Sequence, residues 1–389
     1  MTGVAWDVVV VGAGSAGLPS ALALAERGMR VLVLEELTAP GQGQHKAAIG
    51  GVRATHSDPA KILLCRDSLR IFGSWRETNG DDIGWKMGGY CFPVYTDAIE
   101  RTLRGILPAQ KAAGLEIDWV GPEEIARLVP GIAREGLRGG TFSPGDGQVS
   151  PLLFAISCER AAKRRGVEFR YGEAVVGFET AGGGVTAVRT TKETYATGHV
   201  VLAAGAHARP VGRMLGLEIP VVPDAHEGGI TAPVEQFLGP LVVDLRPGPE
   251  GKTANFYFGQ NAEGQIIFCY TPKPLFVGED RESTSEFLPI LARRMVSLIP
   301  RLRHLLVRRV WRGLYPMTPD GVIIVDRVRE VGGVTLAVGM CGQGFMLGPG
   351  VGRLVAALIA GEPPTISAEA FSAISFYRSF GAAKTEALK

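Results

Sequence analysis

The opening of the chain carries the feature that most restricts its fold, a run of valines followed by a glycine-rich turn. The run Val8–Val11 is short, β-branched and apolar, which predicts a strand buried on both faces. The glycines that follow it have the G-x-G-x-x-G spacing: Gly12, Gly14 and Gly17. A helix is expected next, and residues 30–34 then predict a second buried strand that ends at Glu35.

This strand–turn–helix–strand unit is typical of dinucleotide-binding proteins. Gly12 permits a tight turn, Gly14 lets the backbone approach a pyrophosphate, and Gly17 lets the helix pack closely on the strand. The free N–H groups of the helix point at the phosphates, and Glu35 is placed to accept hydrogen bonds from a ribose. The alternative is a coincidental βαβ turn. By itself the unit is compatible with FAD and with NAD.

Composition narrows the classes of partner. The 389 residues have room for one large or two interleaved domains, and a net charge of +2 without a basic, aromatic-rich patch argues against nucleic acid. Five widely spaced cysteines without a C-x-x-C pair argue against a disulfide framework and a metal site.

The first strand begins close to Met1 and the most apolar helix candidate, 354–360, is short. We therefore expect no leader, no membrane span and a cytoplasmic location.

Four stretches together resemble the amine-oxidising flavoproteins of the D-amino-acid oxidase and sarcosine oxidase family. They are the first glycine turn with Glu35, residues 200–205, the run Tyr315-Pro316-Met317-Thr318-Pro319-Asp320, and the run Gly342-Gln343-Gly344-Phe345-Met346. The resemblance extends over nearly the whole chain and is greatest to β-subunits of heterotetrameric sarcosine oxidases and to dye-linked L-proline dehydrogenases. It implies FAD rather than NAD. The sequence holds no second dinucleotide unit of this kind for a nicotinamide.

The predicted fold class is α/β, with a Rossmann-like FAD-binding domain assembled from discontinuous segments and an inserted, mostly antiparallel α+β substrate domain. The predicted FAD-binding segments are 1–80, 145–218 and 313–370, the substrate-domain segments are 81–144 and 219–312, and 371–389 forms a C-terminal tail. A second glycine-rich stretch, 339–350, is expected to form a loop that opens a closing helix at 350–360. Its N–H groups suit a flavin's pyrimidine edge, where a helix N-terminus stabilises negative charge by ~0.3–2 kcal/mol. The alternative is a tight turn that caps the last helix.

The resemblance also indicates residues that contact the cofactor. The loop 44–48 should pass over the flavin. The predicted cofactor-binding residues are Gly12, Gly14, Ser15, Ala16, Gly17, Glu35, Glu36, Gln44, His45, Lys46, Ala174, Val175, Ala204, Gly205, Gly342, Gly344, Phe345 and Met346.

For substrate, the resemblance implies a small amino-acid-like amine, oxidised by hydride transfer from the carbon beside nitrogen to flavin N5. Arg53 aligns with the family's carboxylate-binding arginine, the alternative being a solvated surface arginine. Tyr315 matches a substrate-facing tyrosine, the alternative being a core tyrosine. His226, beside Glu227, is a candidate base or amine orienter, the alternative being a plain turn pair.

Four departures from the family's pattern shape the expected chemistry. Met346 stands where monomeric sarcosine oxidases have a carboxylate-binding lysine, and residues 265–270 lack the family's oxygen-activating lysine. The cysteine that tethers FAD in monomeric members of the family aligns at or near Gly313, where this chain has no thiol, so FAD should be non-covalent. The histidine that tethers FMN in some members falls near Ser150, so covalent FMN is not expected, while non-covalent FMN at a subunit interface stays open.

These features favour an FAD-dependent dehydrogenase of a secondary or N-substituted amino acid such as sarcosine, proline or an opine-like amine. We expect it to work as a subunit of a hetero-oligomer, with an α-subunit and an electron acceptor as partners. One alternative is a self-sufficient, peroxide-forming oxidase of glycine, sarcosine or D-amino acids. The other is a non-catalytic electron-transfer flavoprotein subunit.

Overall fold

Two large sheets organise the protein in a computed structural model that describes residues 6–381 and residue 388. The first sheet has six strands and is parallel except at one edge. Its strands are, in spatial order, Ile324–Arg327, Val334–Val338, Val200–Leu202, Val8–Val11, Val31–Glu35 and Glu168–Tyr171. Strands from the beginning, middle and end of the chain therefore lie side by side, and the predicted α/β class is confirmed.

The valine run is the centre of this parallel sheet and is buried on both faces, as predicted. Val8 and Val10 face a cluster that includes helical residues, whereas Val9 and Val11 face a three-stranded sheet. The helices around the first cluster are Gly17–Ala25, Pro59–Gly73, Pro151–Arg164 and Gly344–Ala360. The three-stranded sheet consists of Val175–Ala181, Gly184–Thr190 and Thr194–Ala196. Such two-sided burial explains the absence of apolar–polar alternation in the run.

The closing helix begins at Gly344, six residues before the predicted start at 350. Pro349 therefore lies inside the helix, where a proline ordinarily removes a backbone hydrogen bond. Glycines on either side of it face other backbones: a Cβ on Gly348 would lie 2.0 Å from the carbonyl oxygen of Ser15, and one on Gly350 would lie 2.2 Å from that of Leu64. The glycines therefore allow the closing helix to pack closely on the first glycine turn and on helix Pro59–Gly73, and the expected loop is its first turns.

The second sheet has nine strands and is mostly antiparallel. Its strands are Phe276–Val277, Val222–Pro233, Gln265–Pro272, Thr253–Gln260, Leu241–Asp244, Tyr90–Val94, Gly139–Ser143, Asp118–Val120 and Val307–Met317, the last paired with Val222–Pro233. Helix Phe287–Leu298 packs on it through an aromatic core. The predicted domain boundary between 312 and 313 falls inside the strand Val307–Met317.

The strand Val222–Pro233 corrects one interpretation of the sequence. His226 and Glu227 lie within it, so they are not a turn pair. Its register with Val307–Met317 places Asp224 opposite Tyr315 and Glu227 opposite Arg312. The run of glycines and polar residues in this strand concealed its extended structure, because glycine and aspartate are depleted in strands.

The remaining elements belong to none of these sheets and to none of the helices named above. They are the paired strands Gly51–Val52 and Gly147–Gln148, the α-helices Trp75–Asn79, Asp97–Ala112, Pro122–Leu128, Ala208–Arg213 and Ala368–Ala373, and the 3₁₀ helices His45–Ala47, Gly205–His207 and Pro300–His304. Within the described ranges no helix combines the length and the apolar character that a membrane crossing requires. Most of the predicted tail 371–389 is described, and residues 382–387 and 389 lie outside the described residues. The cytoplasmic location stays a prediction.

Candidate active site

The two glycine-rich stretches lie against each other although they are more than 300 residues apart in the chain. A Cβ on Gly344 would lie 3.6 Å from the Cβ of Ser15, and Gly348 faces the Ser15 carbonyl oxygen. The first turn is itself tight, because a Cβ on Gly17 would lie 1.8 Å from the carbonyl oxygen of Gly12. The two turns therefore form one continuous wall.

A cavity extends from this wall to the nine-stranded sheet. The predicted residues that line it are Gly12, Gly14, Ser15, Ala16, Glu35, Glu36, Gln44, His45, Ala174, Val175, Ala204, Gly205, His226, Tyr315, Gly342, Gly344, Phe345 and Met346. Three predicted residues do not line it: Gly17, Lys46 and Arg53. Gly17 acts in the packing of the first turn, so its absence from the wall agrees with the role that the motif gives it.

The end of this cavity at the first glycine turn suits a dinucleotide. A Cβ on Gly14 would meet no atom within 4 Å, so only the absence of a side chain leaves the backbone open to a ligand there. Glu35 accepts hydrogen bonds from the N–H of Ala13 (2.8 Å) and the N–H of Leu37 (2.9 Å). Burial raises the pKa of Glu35, and the two backbone donors oppose that rise. Each carboxylate oxygen keeps a second lone pair with which to accept a ribose hydroxyl.

The other glycine turn presents a buried acceptor that needs a donor. The side-chain oxygen Oε1 of Gln343 is buried at the cavity wall, directly before the closing helix, and has no hydrogen-bond partner among the described residues. A buried amide oxygen without a partner costs about 1–3 kcal/mol. The N–H of a flavin's pyrimidine ring is a donor of the kind that Gln343 lacks. The residues at both ends of the cavity therefore fit FAD.

His45 fastens the loop 44–48 to the first turn. Its Nε2 lies 2.7 Å from the carbonyl oxygen of Pro151, which can only accept, so this nitrogen carries the proton. Its Nδ1 therefore accepts from the Ser15 hydroxyl at 2.9 Å. Burial lowers the pKa of His45 to about 4, and the ring is neutral at physiological pH.

The same loop is also joined to the nine-stranded sheet. The Gln44 side-chain oxygen accepts a hydrogen bond from the N–H of Leu314 at 2.7 Å. The Trp311 indole donates to the carbonyl oxygen of Ala47 at 2.9 Å, and a Cβ on Gly313 would lie 2.5 Å from the Cβ of Ala47. The loop thus lies over the cavity and is hydrogen-bonded both to the first glycine turn and to the nine-stranded sheet.

Two tyrosines form the sheet side of the cavity. The hydroxyl oxygens of Tyr257 and Tyr315 lie 2.9 Å apart, and Cys269 lines the cavity beside them. Burial raises the pKa of both tyrosines well above the usual value, so both remain neutral phenols that can donate hydrogen bonds. Burial also raises the pKa of Cys269 to about 12, which keeps this thiol protonated.

His226 supports the ring of Tyr315 from behind. The two rings are stacked, with centroids 3.7 Å apart and planes inclined by 16°. Nε2 of His226 lies 2.8 Å from Oδ1 of Asp224, and both side chains are almost fully buried. The Asp224–His226 pair therefore fixes the orientation of Tyr315 at the cavity.

Arg53 lies outside this cavity wall. It is 7% exposed, so it is not a solvated surface arginine, and its guanidinium donates to the carbonyl oxygens of Thr55 and Leu388. The buried carboxyl group of Asp146 lies nearby, and burial raises its pKa to about 6 against the opposing effect of Thr55 and Arg53. Its predicted contact with a substrate carboxylate stays a prediction.

A second cavity of about 730 Å³ adjoins the first. The two share the loop residues Ala47, Ala48 and Ile49 and the side chain of Arg281. Lys46, predicted to bind cofactor, lines this second cavity, and its Nζ donates to Gln42 at 3.2 Å. Ser150 also lines it, and the Ser150 hydroxyl caps helix Pro151–Arg164 by accepting the N–H of Leu153.

The lining residues of the first cavity that sequence reasoning did not identify as site residues include Tyr257, Cys269, Arg281 and Gln343. Tyr257 and Cys269 belong to strands whose alternation does not distinguish a cavity-facing side chain from a core one. Gln343 lies inside the quoted glycine motif, and its position before a helix is a signal that could have indicated it. Arg281 lies among exposed charged residues of a connecting segment, where no local pattern marks it.

Comparison with known proteins agrees with this geometry. The model of the DAO family, described as FAD dependent oxidoreductase, matches residues 7–358. The glycine oxidase of Geobacillus kaustophilus is 28% identical over 380 residues, which cover 94% of this chain and 96% of the oxidase. The mitochondrial dimethylglycine dehydrogenase of Rattus norvegicus is 25% identical over 384 residues, which cover 92% of this chain. The aligned region spans 43% of the length of that dehydrogenase.

Among solved structures, the L-proline dehydrogenase from P. horikoshii superposes with a TM-score of 0.90 at 28% sequence identity. The match covers 98% of this chain and 99% of that one. The chain belongs to the DAO family of FAD-dependent oxidoreductases. This family match confirms the predicted class of FAD-dependent oxidoreductase, with FAD rather than NAD as the cofactor.

Proposed function

We propose that the protein is a dehydrogenase of a secondary or N-substituted amino acid such as sarcosine, proline or an opine-like amine. The observation that carries the proposal is the Tyr257–Tyr315 hydroxyl pair, which lies in the same cavity as both glycine turns. FAD, when bound, supplies the two-electron acceptor for the hydride that leaves the substrate carbon. The residues of this chain bind and orient the amine.

The tyrosine pair suits a small zwitterionic substrate. Both phenols are neutral and hydrogen-bonded to each other, so one of the two protons joins the hydroxyls and the other can be donated to a carboxylate oxygen. Each oxygen can also accept a hydrogen bond from an amine N–H. The stacked ring of His226 holds Tyr315 in place, and Asp224 holds His226. Fixed hydrogen-bonding groups of this kind place the reacting carbon without reorganisation during the reaction.

A dehydrogenase is favoured over an oxidase by the side chains at the cavity wall. Among the described residues no lysine lines the first cavity, and Met346 lines it at the position of the family's lysine. Strand Gln265–Pro272 contributes Cys269 instead of the oxygen-activating lysine. We expect the reduced protein to react slowly with oxygen and to transfer its electrons to another acceptor.

The second cavity supports a role as one subunit of a hetero-oligomer with non-covalent FMN. Ser150, near the aligned position of the FMN-tethering histidine, is at its wall. Lys46, Arg281 and Arg309 also line it and bring positive charge that suits a phosphate. Around this part of the protein, large apolar side chains are exposed: Met87, Leu152, Leu153 and Ile156. An α-subunit that covers this patch would remove it from water.

The test is an anaerobic titration of the purified holoprotein with sarcosine, L-proline, an opine, glycine and D-alanine. We expect a secondary or N-substituted amino acid to bleach the visible flavin absorbance. Air is then admitted, and re-oxidation and hydrogen peroxide are followed. Slow re-oxidation with little peroxide, together with rapid re-oxidation by an artificial dye, supports the dehydrogenase.

The other outcomes identify the alternatives. Rapid release of peroxide at the rate of turnover would show a self-sufficient oxidase. Failure of every amine to bleach a correctly loaded flavin would show a non-catalytic electron-transfer subunit. Flavin extraction from protein copurified with its partners then decides on FMN, because FAD alone in a stable complex would contradict the FMN assignment.

A further inference from the structure

The segment 278–286 is a connection between strand Phe276–Val277 and helix Phe287–Leu298 that lies over the first cavity. Most of its side chains are exposed, including that of Arg281, which borders both cavities. Among the residues that the structure describes, Arg281 is the one lysine or arginine that lines the first cavity. It forms no hydrogen bond or ion pair with another described residue. The cavity therefore has an unengaged guanidinium at its wall.

Two buried charged residues hold the segment on either side of Arg281. Glu227 is 2% exposed, and its two carboxylate oxygens accept the N–H (2.6 Å) and the hydroxyl (2.7 Å) of Thr284. Arg312 is 9% exposed, and its Nη1 donates to Asp280 at 2.7 Å and to the carbonyl oxygen of Glu282 at 2.9 Å. Both anchors are charge-assisted hydrogen bonds, which are the stronger kind.

The anchors come from one place in the sheet, because Glu227 and Arg312 are register partners on adjacent antiparallel strands. A cross-strand pair of opposite charge would ordinarily form an ion pair. Here each side chain instead binds the segment, and a buried charge without its partner is strongly destabilising. The segment is thus held by hydrogen bonds at positions 280, 282 and 284, on both sides of Arg281.

We propose that Arg281 binds the carboxylate of the substrate and that Glu227 and Arg312 are the residues that position it. A guanidinium binds a carboxylate through two parallel hydrogen bonds, which fixes orientation as well as charge. The two neutral tyrosines offer hydrogen bonds but no charge, Met346 offers neither, and Arg53 is engaged with main-chain carbonyl groups. This inference rests on the proposed function, since it assigns the anionic end of that substrate.

The first experiment measures binding without turnover. Acetate, the simplest carboxylate probe, is titrated into oxidised holoprotein while the flavin absorbance is followed. We expect the dissociation constant of acetate to rise about tenfold to a hundredfold in Arg281→Ala. It should rise by less in Arg281→Lys, because lysine keeps the positive charge but cannot donate two parallel hydrogen bonds. Arg293→Ala is the matched control, because Arg293 is exposed and lines neither cavity. An unchanged acetate affinity in Arg281→Ala would overturn the inference.

The second experiment compares an oxidised amino acid with its carboxamide. The KM of the amino acid should rise about tenfold to a hundredfold in Arg281→Ala, while that of the carboxamide changes less than about threefold. An equal rise for both would show a merely structural role and would overturn the assignment. If no amino acid reduces the wild-type flavin, the proposed function fails, whereas an Arg281-dependent acetate site would still stand.

The positioning role has its own test. Thr284→Val removes the hydroxyl that donates to Glu227 and keeps the backbone donor. We expect a smaller rise in the acetate dissociation constant than in Arg281→Ala, and no further rise when Thr284→Val is added to Arg281→Ala. Additive effects in the double variant would show that Thr284 acts independently of Arg281.

Discussion

The hydroxyl oxygens of Tyr257 and Tyr315 lie 2.9 Å apart in a single cavity, although the two residues are 58 positions apart in the chain. They meet because Tyr257 belongs to strand Thr253–Gln260 and Tyr315 to strand Val307–Met317 of the same sheet. The contact joins two neutral donors at the site where a substrate would be oriented. Its loss should therefore be visible in the reduction of the flavin.

We predict that Tyr315→Phe and Tyr257→Phe each slow anaerobic flavin reduction by about tenfold, because each removes a donor worth ~1–1.5 kcal/mol. The double variant should lose less than the sum of the two effects, since the hydroxyls contact each other. Stopped-flow absorbance checks this. Tyr270→Phe, in the aromatic core of the same sheet, is the control. Unchanged reduction in both single variants would remove the tyrosine pair from the site.

A side chain at Gly14 should exclude the cofactor. Gly14→Leu places a side chain in the open space beside the first turn, so FAD affinity should fall by about a hundredfold or more. The measurement is flavin content after purification and reconstitution, with circular dichroism to show that the fold is intact. Gly105→Ala, at an exposed helical position without neighbours, should keep its flavin and gain about 0.5–1 kcal/mol. Full flavin content in Gly14→Leu would contradict the placement of FAD.

The stability of the protein should fall in acid partly through His45. Burial lowers its pKa to about 4 in the folded protein, below about 6.5 in the unfolded chain, so the unfolded state binds the proton first. The contribution of the neutral ring is present above about pH 6.5 and is lost as the pH falls toward 4, on the order of 3 kcal/mol in total.

His45→Gln should show a smaller loss of stability between pH 7 and pH 4.5, measured as the urea midpoint and slope of the holoprotein. The exposed His304 provides the control, and His304→Gln should retain the wild-type pH dependence. An identical pH dependence in His45→Gln and wild type would show that His45 is not a buried neutral ring in solution.

Arg53 gives a prediction that separates a structural arginine from a substrate-binding one. Its guanidinium satisfies the carbonyl groups of Thr55 and Leu388, so Arg53→Met should destabilise the protein by about 2–3 kcal/mol. The KM of the amino acid should change less than about threefold, in contrast to Arg281→Ala. A large rise in KM with unchanged stability would instead support the substrate-binding role that the family resemblance predicts for Arg53.

The cofactor part of the fold could be predicted because its signals are local. The first strand, the glycine turn and Glu35 lie within 28 residues and have a fixed spacing. The predicted start of the closing helix was wrong. A proline such as Pro349 ordinarily ends a helix, and the glycines around it are equally typical of a loop. Close packing on Ser15 and Leu64 decides that this stretch is a helix and not a loop, and a sequence does not display such packing.

The substrate part could be predicted only in fragments. Tyr315 and His226 were identified from a resemblance and from residue type, but their stacking depends on the register of two strands about 80 residues apart. Tyr257 reaches the cavity through the pairing of its strand with Leu241–Asp244 and Gln265–Pro272, and Arg281 reaches it through two side-chain anchors. Local patterns carry no information about such pairing, so these residues could not be predicted.

Arg281 borders two chambers at once, and this has a thermodynamic consequence. A ligand in one chamber that draws the guanidinium toward itself changes the free energy of occupying the other. By linkage, the second ligand must then alter the affinity of the first by the same factor. Substrate affinity in this protein should therefore depend on what fills the neighbouring chamber, so that the two compartments titrate as a coupled pair.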